Sequence, residues 1–222
     1  MINFSTLTSM KKATKKEIQL IHQLFIEKYS DAVTELDYRN AYELVIAVAL
    51  SAQCTDKRVN LITPDLFEKY PSPQELALAS LNDVKELIKS CSFFNNKAKN
   101  IIAMAKRVVE VYDGEIPMNE KDLITLGGVG QKTANVVMIE YTGANLMAVD
   151  THVFRVSHRL GLSDDKTASK TEATLVKKFK NNLQALHQGM VLFGRYICKA
   201  QNPKCDECFL NEFCKTKETF KV

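Results

Sequence analysis

The chain has 222 residues, 45% hydrophobic and 25% charged, a balance near the globular average that excludes wholesale disorder. No run of about 18 apolar residues is present, so no conventional transmembrane helix is expected. The formal net charge of +4 is compatible with a polyanionic partner without establishing one.

Eight Gly and five Pro are few for an all-β chain, and helices are expected throughout. The opening segment, MINFSTLTSMKKATKKE, has neither the apolar core of a secretory signal nor the arginines of a transit peptide. A solvated tail in a reducing cytoplasm is the expectation, and there clustered thiols bind metal more readily than they pair. In chain order, Lys15 to Tyr29 places Ile18, Ile21, Leu24 and Phe25 at helical spacing. Ala41 to Leu50 is almost wholly apolar. A buried strand fits that composition, but its alanines and length favour a helix buried on most sides. Asp56 to Tyr70 reads as a helix with a bend near Pro64. Ser72-Pro73-Gln74-Glu75 has the pattern of a capping box, and Ser80-Leu81-Asn82-Asp83 that of a second helix start. Lys97 to Tyr112 aligns Ile101, Ile102, Ala105, Val108 and Val109 on one face and stops at Gly114. Asn119 caps a short helix ending at Leu126. Gly143 closes a helix from Gln131 to Tyr141, and Gly161 closes one from Thr151 to Leu160. Ser169-Lys170-Thr171-Glu172 predicts another capping box, and Leu183 to Ile197 the last long helix. No alternating strand is found, so the expected class is all-α.

Three constellations carry chemistry. In Leu123 to Val137 two helices are joined by Gly127-Gly128-Val129-Gly130. This is either an ordinary tight turn or a site where the N–H groups opening the second helix meet an anion. Lys132, in the first turn of that helix, is either a solvated cation or a nucleophile whose amine is freed by the positive helix end and partial burial. Asp150, in Val149-Asp150-Thr151-His152, suits a helix cap and also a carboxylate that stabilises developing positive charge. Cys198, Cys205, Cys208 and Cys214, separated by six, two and five residues, form the most specific signal. Four thiolates serve zinc and iron–sulfur clusters alike.

The glycine turn, Lys132 and the small residues behind it resemble the helix–hairpin–helix of the base-excision DNA glycosylases, with Gly127 where that motif usually has Pro. The cysteine gaps, and Phe193-Gly194-Arg195-Tyr196-Ile197 before them, resemble the endonuclease III family. The resemblance covers roughly residues 15 to 214. It implies a two-domain helix–hairpin–helix glycosylase fold: a six-helix barrel domain over residues 35–145, and a discontinuous cluster domain from residues 1–34 and 146–222. It also implies a 4Fe–4S cluster on the four cysteines, Lys132 as nucleophile and Asp150 as essential carboxylate in the interdomain cleft. The implied reaction removes oxidised pyrimidines from duplex DNA through a Schiff base and cleaves the 3′ side of the abasic site by β-elimination. Gly128, Val129, Gly130 and Thr133 would contact phosphates, as would Lys199 and Lys204 on the cluster loop. Gln53 of Leu50-Ser51-Ala52-Gln53 would fill the space left by an extruded base. Phe93 would wedge into the duplex, although Ser92-Phe93-Phe94-Asn95 stands where Gly-Leu-Tyr-Asn is common. The partner implied is double-stranded DNA with damaged pyrimidines or abasic sites, bound by a monomer, away from membranes, in the cytoplasm and at the nucleoid if bacterial. Two other readings are an adenine-mismatch glycosylase, disfavoured by Lys132 and by the absence of an acid in Val45 to Leu50, and a non-catalytic iron–sulfur DNA-binding or redox-sensing protein. The 8-oxoguanine glycosylases share a Lys–Asp pair but usually lack the cluster.

Overall fold

The structure, a computed structural model, describes residues 11–216. The expected amino-terminal tail lies largely outside them. Eleven α-helices and short 3-10 turns make up the regular structure, with no strand among the described residues. The all-α expectation holds. Among the described residues, no helix is long and apolar enough to cross a membrane. The chain divides into two compact units, Thr34–Ala144 and the described residues up to Val33 together with those from Asn145 onward.

The first unit is built on α2 (Ala41–Ser51), in which every residue from Tyr42 to Leu50 is buried. This settles the choice between strand and helix. Ala47 and Ala49 leave room for neighbours, and α3 (Asp56–Lys69), α6 (Phe94–Val111) and α8 (Gln131–Thr142) pack directly on it. Each large apolar side chain so buried contributes about 1.5–3 kcal/mol. The remaining helices are α4 (Pro73–Ala77), α5 (Leu81–Ile88) and α7 (Glu120–Leu123). Pro64 is accommodated inside α3, which runs as one helix.

Several expected boundaries move. Ser72 caps α4, but its hydroxyl accepts from the Gln74 N–H and donates directly to the Glu75 carboxylate, so the reciprocal box does not form. Ser80 stands at the N-cap of α5 without a side-chain bond. α6 starts at Phe94 rather than Lys97, because Phe93 turns left-handed (φ 58°) and brings the chain into the helix almost a turn early. α7 ends at Leu123 and gives way to turns before Leu126.

The second unit contains α1 (Lys15–Tyr29), α9 (Thr151–Arg159), α10 (Ala168–Phe179) and α11 (Leu183–Tyr196). α1 and α9 both pack on α11. Phe25 of α1 meets Phe193 of α11 edge-on at 5.5 Å, and both rings meet Phe209 of the carboxy-terminal loop. Offset and edge contacts of this kind add about 0.5–1.5 kcal/mol each beyond burial. α1 opens with a full capping box, Thr14 with Glu17, a Thr-x-x-Glu pattern overlooked in the sequence. The box expected at Ser169–Glu172 is not formed. Thr167, in extended conformation, offers its hydroxyl to the Lys170 N–H and starts α10 at Ala168, so Ser169 lies inside the helix.

Candidate functional site

In the Thr34–Ala144 unit, α7 and α8 are joined at Leu126–Val129. The Val129 N–H donates to the Leu126 carbonyl at 3.1 Å, and Gly128 has φ +80°, the geometry of a type II turn. Position 128 therefore needs glycine. Gly127 is needed for a different reason. A Cβ there would lie 2.6 Å from the Asn100 carbonyl oxygen of α6, so the bare backbone lets the hairpin approach α6 closely. Val129 is buried and its N–H closes the turn, so it is not an open donor as expected. The open donors lie one step later. α8 is capped by Gly130 with no side-chain bond, and the first intrahelical bond runs from the Ala134 N–H to Gly130. The N–H groups of Gln131, Lys132 and Thr133 therefore have no partner in the helix ladder. Lys132 sits in this first turn and is exposed, as a solvated cation would be; Thr133 is half-buried.

Asp150, in the second unit, is the N-cap of α9. Its Oδ1 accepts from the N–H groups of His152 and Val153, each at 2.8 Å. The carboxylate is half-buried and fixed in direction by the helix it caps. His152 is held mainly in its neutral form by burial, its Nδ1 3.2 Å from the Arg155 guanidinium, which suits a structural role.

Gln53 and Phe93 are both exposed, and both have left-handed backbones, with φ 54° and 58°. Phe93 is 63% exposed and does not pack in the core. Between their two loops lies Lys97, which sequence reading missed because a lysine in a first turn normally faces solvent. Lys97 is buried. Its ammonium donates to the carbonyls of Leu50 (2.8 Å) and Ala52 (2.7 Å) and to Cys91 Sγ (3.3 Å).

The carboxy-terminal cysteines surround a cavity of about 30 Å³, lined also by Arg159, Ile197, Pro203, Lys204 and Asn211. None of the four is in a disulfide. Cys198 follows α11 directly, and the Lys204 N–H donates to Ile197, closing the Cys198–Cys205 loop at its neck. Cys205 opens a 3-10 turn, and the Asn211 amide ties its carbonyl to the next one. Burial and the neighbouring sulfurs push the Cys208 thiol up to about 11. The buried Arg159 guanidinium lies 3.3 Å from Cys198 Sγ and also holds the Lys199 carbonyl at 2.7 Å. Converging soft donors that repel one another and face a buried cation fit an iron–sulfur group, whose thiolate ligands are anionic. Among the described residues, no group of three or more His, Cys, Asp or Glu is arranged to hold a single ion. Lys199 is exposed, and Lys204 is exposed but paired with Glu207 at 3.1 Å.

Residues 46–181 match the family model of the HhH-GPD superfamily base excision DNA repair proteins. Residues 198–214 match that of the iron–sulfur binding domain of endonuclease III. The chain is 44% identical over 202 residues to endonuclease III of Bacillus subtilis strain 168, covering 90% of this chain and 92% of that one. This chain belongs to the endonuclease III family. The endonuclease III of Escherichia coli K12 is 37% identical over 214 residues, covering 96% of this chain and all of its own. A solved structure of a trapped endonuclease III–DNA covalent intermediate matches with a TM-score of 0.89 at 42% identity, covering 94% of this chain and all of that one. A thermostable thymine-DNA glycosylase, 23% identical with a TM-score of 0.81, shares the fold. As a member of the endonuclease III family the chain is a bifunctional DNA glycosylase and abasic-site lyase of base excision repair, with a 4Fe–4S cluster as cofactor.

Proposed function

We propose that Lys132 is the nucleophile of both steps and that oxidised pyrimidines in duplex DNA are the substrates. The observation that carries this is the placement of an amine in the first turn of α8, directly behind a type II turn and beside N–H groups that have no helical partner. Those donors, with the positive end of the helix, suit a DNA phosphate. They would seat the backbone while Lys132 addresses the sugar. DNA covering the exposed lysine supplies the desolvation that the free chain does not. Neutral Nζ attacks C1′, the glycosidic bond breaks and the base leaves with a proton. The nitrogen lone pair then breaks the C1′–O4′ bond, O4′ takes a proton, and the resulting Schiff base acidifies the C2′ proton, whose loss expels the 3′ phosphate. Asp150 stabilises the positive charge that develops on the sugar, its direction set by the α9 N–H groups. The trapped covalent intermediate of the relative supports a reaction that passes through an enzyme–DNA bond.

In this reading the four cysteines ligate the cluster. The Thr34–Ala144 unit is the hairpin-bearing barrel domain and the discontinuous unit the cluster domain. Gly128, Gly130 and Thr133 with the loop lysines face phosphates, Gln53 takes the place of the extruded base and Phe93 wedges between neighbouring bases. The protein acts as a monomer in the cytoplasm, at the nucleoid in a bacterium. Borohydride trapping on duplexes carrying thymine glycol or an abasic site tests the centre of this reading. The wild-type chain should form a covalent adduct and Lys132→Gln should not, while Lys132→Gln still binds abasic DNA. An adduct that persists in the variant would assign the chemistry to another amine.

A further inference from the structure

We propose that Lys97 is a positioning residue that locks the Gln53 loop and the Phe93 loop into one register, so that the two side chains that probe the duplex act as a unit. The inference rests on the reading of Gln53 and Phe93 as DNA-contacting residues. Its basis is the geometry around one buried ammonium.

An ammonium has three N–H donors. Those of Lys97 go to the Leu50 carbonyl at the end of α2, the Ala52 carbonyl one residue before Gln53, and the sulfur of Cys91, two residues before Phe93. The Cys91 thiol in turn donates to the same Leu50 carbonyl at 3.3 Å. One charge thus ties the exits of two segments that are 40 residues apart in sequence. Local physics disfavours this placement on every count. All three acceptors are neutral, so the cation is buried without a counter-charge on its acceptors, an unfavourable placement that hydrogen bonding must offset. The lysine also sits in the first turn of α6, where the helix dipole opposes a cation. Its gain lies elsewhere, in capping the carbonyl end of α2. The two segments that it grips each contain a non-glycine residue in left-handed conformation, Gln53 and Phe93, and such residues persist only where the surroundings over-determine them. An apolar residue at 97 would fill the space more cheaply. It would not fix two strained loops to each other.

The test uses the full holoenzyme carrying Lys97→Met, which keeps length and volume but removes the donors. Single-turnover rates are measured on a duplex with thymine glycol and on the same duplex with a preformed abasic site. Base extrusion needs both probes in register, so excision of thymine glycol should fall roughly tenfold or more, while cleavage at the abasic site should stay within about threefold. Amide exchange should show that residues 52–54 and 91–94 lose protection together. Equal losses on both substrates, no loss on either, or loosening of only one loop would overturn the proposal. Should Lys97→Met fail to fold, Cys91→Ala removes the sulfur that joins Lys97 and the Leu50 carbonyl to the Phe93 side; selective loss of excision then supports the proposal, and unchanged excision overturns it. Gln53→Ala and Phe93→Ala are the controls for the underlying reading. If neither affects excision, the assignment of those two side chains falls, while paired loosening in Lys97→Met still establishes the lock.

Discussion

Residues 127 and 150 show how a single atom decides what a position tolerates. A methyl group at position 127 would lie 2.6 Å from the Asn100 carbonyl, a backbone atom of a well-packed helix that cannot give way freely. Gly127→Ala should therefore destabilise the chain by about 1–3 kcal/mol, read as a lower denaturation midpoint with unchanged m value. A neutral result would show that the hairpin can lift away from α6. The same clash awaits the proline usual in the resembled motif, although proline suits this position of a type II turn. At Asp150 the cap and the charge are separable. Asp150→Asn keeps an N-cap acceptor and should leave stability within about 0.5 kcal/mol, whereas Asp150→Ala should cost about 1 kcal/mol. On the proposed mechanism both should slow base release by roughly a hundred- to thousand-fold. A fully active Asp150→Asn would reduce the residue to a cap.

At the scale of the helix, legibility followed distance along the chain. α8 and α9 were readable because their glycine stops, their first turns and the Asp150 cap are contiguous signals. The start of α10 was misread because Thr167 and Ser169 are both sound caps, and only the fold chooses between them. Lys97 was invisible because all its partners lie outside its own turn of α6. Glu140 of α8 was equally silent. It is half-buried and accepts from the Thr34 N–H at 3.0 Å, while its Oε1 is buried without a hydrogen bond. Burial raises its pKa from 4.5 to about 6. Folding therefore favours its protonated form. The charged form weakens the fold, a penalty that is absent at pH 4, grows between pH 4.5 and 6 and is complete above pH 7. Glu140→Gln keeps the acceptor for Thr34 and should stabilise the chain at pH 7.5 by about 1–2 kcal/mol, with little gain at pH 4.5. Urea melts of both proteins at the two pH values check this; an equal gain at both would show that the carboxyl titrates normally.

For the whole molecule, the two units differ in what holds them. Thr34–Ala144 relies on the apolar faces packed around α2, whereas the other unit adds the cysteine loop to the aromatic contacts of α1 and α11. The purified protein should be yellow-brown, with about four irons per chain and broad visible absorbance from thiolate-to-iron charge transfer. Chelation of the iron should abolish that absorbance and loosen amide protection in α1, α9 and α11 while residues 34–144 stay protected. Protection lost equally everywhere would mean that the units do not unfold separately, and stoichiometric zinc in place of iron would contradict the cofactor. The ring pair Phe25 and Phe193 has a further consequence, in time rather than in space. α1 leaves the ribosome early, but its partner α11 follows only after roughly 170 more residues, which at about 5–20 residues per second is a wait of some ten to thirty seconds. Through that interval Ile21 and Phe25 have no aromatic core to enter, while the whole of Thr34–Ala144 can complete its own. A nascent chain stalled before Phe193 would thus present a finished inner unit and an amphipathic helix still waiting for its partner.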